Sequence, residues 1–487
     1  MKLSPLSKQI KSCWLVALVL GSSVALSACN STPAPKIAEV AAVDTGSFSL
    51  PQYEQYQLAN GLTVYLMPQK EVPLITIDAV VRAGSVNDIL GGEARLTAKS
   101  LMLGAGGKTK AEIEQAVDFL GASLGSSAGK EGSYLSSDFM AKDLDVMLPI
   151  ISSVLTSPDF DSKEFTKLKE REIAGLSQAK ESPRSVIGRY FDKLIFADHA
   201  YGKPSSGNRD GLKKQDISRL KRFYQSYYQP QNTAITVVGD FDKAAMKAKL
   251  KQAFGQWEML SQVSQPNLAV DLPELDRNRV LLVNKGDAIE TTFLIGGKGV
   301  AYDNADLVGL TVVNTILGGR FTSWLNDELR VNAGLTYGAR SAFIPYSKAG
   351  VFRISTFTKS DTTEAAIDLA LETYSRLWEQ GVDQATLDSA KAYVKGQFPP
   401  KYETNGQLAG LLTNMYLYGF DDSYINDFQA KVDGLTIAET KRLVSKYFPQ
   451  DNLQYVLIGN ADNIGTVAAK YGTVTQVDIK DIGFDVK

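Results

Sequence analysis

Apolar and polar residues fall into short periodic blocks along the chain. In YQLANGLTVYLMP (Tyr56 to Pro68) two apolar runs flank Asn60-Gly61, a strong short signal for a β-hairpin. LITIDAVVRAG (Leu74 to Gly84) is rich in β-branched residues and reads as a strand. GGEARLTAKSLMLGAGG (Gly91 to Gly107) reads as a helix closed by a glycine turn. Thr109 and Glu112 form a capping box ahead of Ile113, Val117 and Leu120 at helical spacing. Leu144, Met147, Leu148, Ile151 and Leu155 mark another helix, which stops at Ser157-Pro158. The polar stretch Ser162 to Glu181 is a long helix that stops before Pro183.

The chain then starts again. YYQPQNTAITVVGD (Tyr227 to Asp240) is echoed by KYFPQDNLQYVLIGN (Lys446 to Asn460), and LMLGAGG by TILGGR (Thr315 to Arg320). The helix pair before Pro183 has a counterpart in Asp361 to Gln380 and Asp383 to Gln397, which stops at Pro399. Between the halves, MLSQVSQPNLAVDLPELD (Met259 to Asp276) has no helical period and reads as a linker. Helix and strand alternate without steady βαβ spacing. The expected class is therefore α+β, two homologous halves with mostly antiparallel sheets flanked by helices.

At 487 residues the chain exceeds one core. Its formal net charge of -2 argues against nucleic acid, which calls for a basic stripe. Lys2, Lys8 and Lys11 precede the apolar run Trp14 to Leu26, and Leu-Ser-Ala-Cys ends at Cys29, the pattern of a secretory signal. That ending resembles the lipobox of bacterial lipoproteins, which implies lipidation of Cys29 and a stable membrane anchor. Asn30 follows rather than Asp, which favours the outer membrane, facing the periplasm. The only other cysteine, Cys13, lies inside the signal, so the mature chain has no disulfide. The division is 1–29 signal, 30–49 tether, 50–258 first half, 259–276 linker and 277–487 second half.

No catalytic centre stands out. A catalytic zinc usually takes three protein ligands, most often two histidines and a carboxylate. This chain has one histidine, His199, and that residue sits in a turn-rich stretch that suits a structural role. Arg95 and Lys99 instead set two cations four residues apart on one helix face, which costs a few tenths of a kcal/mol in an isolated helix.

The two halves, His199-Ala200-Tyr201-Gly202, YYQPQNTAITVVGD and LGGRFTSWLNDELRVNAGLTYGARSAF (Leu317 to Phe343) together resemble the M16 peptidases, the group of insulinase, pitrilysin and the mitochondrial processing peptidase. The similarity runs from roughly Ser49 to the end of the chain. Active members carry HxxEH on an early helix and a further Glu about seventy-five residues later. The resemblance places Arg95 and Lys99 at the histidine positions, Ala98 at the general base and Gly175 near the distal ligand, with Glu170 and Glu172 out of register. It therefore implies no metal in this chain.

Glu328-Leu329-Arg330-Val331-Asn332-Ala333-Gly334-Leu335-Thr336-Tyr337 matches the family's ELRxxxGLxY, although Val331-Asn332-Ala333 replaces the usual charged Glu-Lys-Arg. The match implies that Arg330 and Tyr337 bind substrate and stabilise its oxyanion in trans, beside zinc held by a partner chain. The expected function is the non-catalytic, substrate-binding subunit of a heterodimeric M16 zinc endopeptidase. Its cofactor, zinc, would sit in the partner, and its ligand would be a peptide. The alternatives are an M16-like scaffold protein and a lone peptide-binding lipoprotein.

Overall fold

The computed structural model describes residues 48–484, so Cys29, the signal and nearly all of the tether lie outside the described residues. Two six-stranded sheets organise the chain. The first contains β1 (Glu54–Gln57), β2 (Thr63–Pro68), β3 (Leu74–Val81), β4 (Ser123–Ala128), β5 (Ser133–Met140) and β6 (Thr233–Gly239), in the order β1-β2-β6-β3-β5-β4. The second contains β7 (Arg279–Asn284), β8 (Glu290–Lys298), β9 (Arg340–Pro345), β10 (Gly350–Lys359), β11 (Gln454–Gly459) and β12 (Thr473–Asp478), in the order β12-β7-β11-β8-β10-β9.

Matching β2 to β7, β3 to β8, β4 to β9, β5 to β10 and β6 to β11 makes the inner five strands of both sheets identical in order. Only the sixth strand differs. It comes from the start of the chain in one sheet (β1, antiparallel to β2) and from its end in the other (β12, parallel to β7). The echoed glycines close equivalent strands, Gly239 in β6 and Gly459 in β11. Most strand pairings are antiparallel, the parallel ones being β2–β6, β7–β11 and β7–β12.

Local chemistry explains the early elements. The Asn60-Gly61 turn joins β1 to β2, with Gly61 at φ +85° and the Asn60 side chain donating to the Phe254 and Trp257 carbonyls at 2.8 and 3.0 Å. The expected capping box opens α2 (Lys110–Phe119), where the Thr109 N–H donates to Glu112 at 2.8 Å and the Glu112 N–H to Thr109 at 3.3 Å. α3 (Leu144–Thr156) and α4 (Ser162–Ala179) follow as expected. So do their second-half counterparts, Thr363–Glu379 and Gln384–Gly396.

Among the helices that the sequence did not predict, α5 (Pro183–Phe196) and α6 (Asn405–Tyr418) occupy equivalent places after the paired helices of each half. They are exchanged between the halves. Val186, Ile187, Phe191, Leu194 and Ile195 of α5 join Leu281, Leu294 and Val456 of the second sheet in one core. Leu408, Leu412 and Met415 of α6 join Met67, Val80 and Val238 of the first sheet in another. Each sheet is thus covered on two faces. In β2, Val64 and Leu66 enter the cluster beneath the first half's own helices, while Tyr65 and Met67 enter the cluster shared with α6. The 259–276 stretch contains no helix or strand, yet Leu268, Leu272 and Leu275 pack against the α5 core, so this linker is seated on the body. No described helix is long and apolar enough to cross a membrane.

Candidate functional site

The stretch before α1 (Glu93–Ser100) fixes that helix firmly. Gly92 sits at φ +97°, where a Cβ would meet the Leu212 side chain at 2.4 Å, so glycine is required there. The buried Asp88 carboxylate accepts hydrogen bonds from the Gly92 and Ala94 N–H groups at 2.7 and 2.8 Å, capping the helix. Burial raises the Asp88 pKa to about 7, despite those bonds. Glu93 accepts from the Ile89 N–H at 2.6 Å.

Ala98 is fully buried, and its carbonyl accepts from Ser126 Oγ of β4 at 2.6 Å. Arg95 and Lys99 project together toward α4, and both grip one carboxylate, Glu172. Arg95 Nε donates to Glu172 at 2.5 Å, and Lys99 Nζ donates to its other oxygen. Glu172, set aside as out of register, is the residue that meets the two cations, whereas Gly175 has open space around its would-be Cβ. Arginine and lysine reach further than histidine, so they find a partner less than one turn earlier on α4.

The donor set does not fit a zinc ion. Two permanent cations stand where the resemblance would put two ligands, and they neutralise the carboxylate seen to contact them. Among the described residues, no group of three or more His, Cys, Asp and Glu side chains could hold a metal.

Glu172 supports a test of this cluster. Burial would raise its pKa, but the hydrogen bonds from Lys99 and Arg95 outweigh burial and hold it below the usual glutamate range. A depressed folded pKa means stabilisation that is present above the unfolded value, about 4.3, and lost as the pH falls through the folded one. The three side chains are 12%, 31% and 29% exposed, so solvent screens the pairs in part. Glu172→Gln is expected to cost about 1–2 kcal/mol in urea denaturation at pH 7. As the pH falls through the lowered folded pKa the gap between variant and wild type should shrink, because protonation then removes the charge that the two cations hold.

His199 is a turn residue, as expected. Its Nδ1 accepts from the Tyr201 N–H at 3.1 Å, and burial holds its pKa below the usual value. The motif's tyrosine does more. Tyr201 is fully buried, donates to Glu131 at 2.9 Å and stacks on Tyr346 at 4.9 Å. Glu131 in turn accepts from the Ser347 N–H at 3.0 Å, which ties the first-half 129–132 loop to the turn between β9 and β10.

In the second half, Leu325 and Leu329 are fully buried and anchor the 324–332 helical turns, which present Arg330 outward. The Arg330 guanidinium lies 4.7 Å over the exposed Phe321 ring. Tyr337 is 82% exposed, and its ring lies 6.4 Å from that of Phe357. The two residues are therefore available to solvent but keep different neighbours. Tyr337 stands at a cavity of about 800 Å³ between α5 and the second sheet, and Arg330 is not among the lining residues.

Comparison with known proteins matches residues 216–394 to the peptidase M16 inactive domain. The chain is 26% identical over 410 residues to the zinc protease PqqE of Helicobacter pylori, covering 82% of this chain and 91% of that one. A solved peptidase M16 inactive domain from Pseudomonas fluorescens superposes with a TM-score of 0.77 at 25% identity, covering 84% of this chain and 98% of its own. A protease from Helicobacter pylori superposes with a TM-score of 0.79 at 23% identity, covering 84% and 100%. Over most of its length the chain is thus similar to M16 peptidases, with the family model itself matched across residues 216–394. Beside that likeness, the first-half helix carries Arg95 and Lys99, which close on Glu172.

The sequence reading named Glu172 without giving it a partner, and missed Glu131 and the cationic lining of the cavity. A signal for the last was present, because FRISTFTK alternates and puts Arg353, Ser355 and Phe357 on one face of β10.

Proposed function

We propose that this chain is the non-catalytic, substrate-binding subunit of a two-chain M16 zinc endopeptidase, held at the envelope by lipid on Cys29. One observation carries the reading: the first-half motif helix is closed by ion pairs, while Arg330 and Tyr337 stand exposed on the second half. A phenol and a guanidinium both donate hydrogen bonds, as a carbonyl oxygen gaining charge requires. Zinc in the partner would supply the activated water, and this chain would grip and polarise the peptide.

The full chain purified alone is expected to contain no stoichiometric zinc and to cleave no peptide. Mixed with a zinc-bearing M16 partner recovered with it from its native membrane, it should support cleavage. One tightly held zinc per chain, or cleavage without a partner, would overturn the reading. An assembled pair whose cleavage is indifferent to Arg330 and Tyr337 would favour the scaffold alternative.

Anchoring has its own test. Cys29→Ala is expected to leave the protein unanchored or as an uncleaved precursor in membrane fractionation, because acyl chains are the only proposed attachment. Full processing with continued outer-membrane fractionation would refute the anchor.

A further inference from the structure

The cavity beside Tyr337 has a charge out of keeping with the whole chain. The formal net charge is -2, yet the lining brings together Lys130, Arg184, Arg189, Arg340 and Arg353 with one carboxylate, Asp192. Lys130 is neutralised by Asp192 at 2.8 Å. Arg184 has only Glu290 at 3.6 Å, and both are about half exposed, where such a pair is weak. Among the described residues, Arg189, Arg340 and Arg353 have no carboxylate within ion-pair distance.

Two further features mark these guanidinium groups as built into the site. Arg189 Nη1 is buried without a hydrogen-bond partner, a costly state for a charged donor. Burial, and then Arg95 of the motif helix, pulls the Arg189 pKa below the usual guanidinium range, so the cationic field extends toward the closed ion-pair cluster. The second feature is Gly188, inside α5, where glycine costs about 0.5–1 kcal/mol relative to alanine. Its would-be Cβ lies 3.0 Å from Arg353 Nη1, so the missing side chain leaves room for that guanidinium. Arg353 comes from the α5-facing side of β10, and Arg340, on the neighbouring strand β9, pairs with Ser355 of β10.

We propose that this cavity binds an acidic segment of a peptide, its Asp and Glu side chains seated on Arg189, Arg340 and Arg353. This deepens the proposed peptide-binding role and rests on it. Guanidinium forks match carboxylates two bonds at a time. The exposed ring of Tyr337 gives a main chain and apolar side chains a surface to lie on, while the Arg184 guanidinium already lies 3.3 Å over the Phe357 ring. A volume of about 800 Å³ suits a few residues, not a folded domain.

The test uses the full chain without any partner, so a missing partner cannot mask the result. Binding of fluorescent decapeptides of alternating Gly and Glu, or Gly and Lys, is followed by anisotropy, with unlabelled tripolyphosphate as competitor. The acidic peptide is expected to bind at least about tenfold tighter than the basic one, more weakly at high salt. Arg340→Gln and Arg353→Gln are each expected to weaken the acidic peptide about tenfold, as for loss of a charged hydrogen bond, without weakening the basic one. Arg340 is exposed, so its variant should fold normally even if Arg353→Gln does not. Equal binding of the two peptides, indifference to Arg340→Gln, or tripolyphosphate binding as tightly as the acidic peptide would each overturn the proposal. Cleavage of basic peptides by the assembled pair, with no acidic preference here, would sink this inference and leave the subunit role standing.

Discussion

Peptide cleavage by the proposed two-chain enzyme is expected to fall about 10²–10³-fold on Tyr337→Phe, with the complex intact. Tyr337 is 82% exposed, and its hydroxyl has no hydrogen-bond partner among the described residues. Removing that oxygen breaks nothing inside this chain, so folding and assembly should be untouched. On the proposed role, what is lost is a donor to an oxygen that becomes charged only during attack. The expected cost is about 2.7–4 kcal/mol of transition-state stabilisation, seen mainly in kcat. Arg330→Ala should raise KM as well, since a guanidinium also holds the peptide in its ground state. The partner's zinc content should stay constant in both variants, with assembly checked by size-exclusion chromatography. Wild-type rates from both assembled variants would assign Arg330 and Tyr337 to structure alone.

The repeat was legible because turn and strand signals are local. Gly239 and Gly459 close equivalent strands, and the Thr109–Glu112 box starts its helix, each through chemistry confined to a few neighbouring residues. The exchanged helices were not legible. PRSVIGRYFDKLIF buries Val186, Ile187, Tyr190, Phe191 and Leu194, because α5 is covered by the second sheet and also by the chain end, where Phe484 meets Tyr190 at 5.0 Å. A helix covered on several sides lacks the one-sided stripe that sequence periodicity detects. Nothing local says which sheet it will cover.

The site divides in the same way. Substitution at Arg95, Ala98 and Lys99 could be seen by laying a motif on one helix. Their partner could not, since finding Glu172 requires the packing of α4 beside α1 and the longer reach of the new side chains. The cavity depends on even more distant segments, with Arg189 from one half facing Arg340 and Arg353 from the other.

The exchange of α5 and α6 sets the second large effect, on stability. Phe191 is fully buried in the core that α5 forms with Leu281, Leu294 and Val456. Phe191→Ala is expected to lower the free energy of unfolding by about 3–5 kcal/mol, through lost burial and the cavity left behind. That is a large share of the roughly 5–15 kcal/mol that holds a typical folded protein together. Because α5 belongs to the first half in sequence and covers the second half's sheet, the loss should not be confined to either half. Fluorescence and circular dichroism are expected to report one shared, earlier transition in urea. Phe191→Leu, which keeps most of the volume, should cost about 1.5 kcal/mol or less. A loss below about 1 kcal/mol for the alanine variant would mean that α5 is not seated on the second sheet in solution. Separation into two transitions, with the first half unaffected, would mean that the crossed helices do not couple the halves.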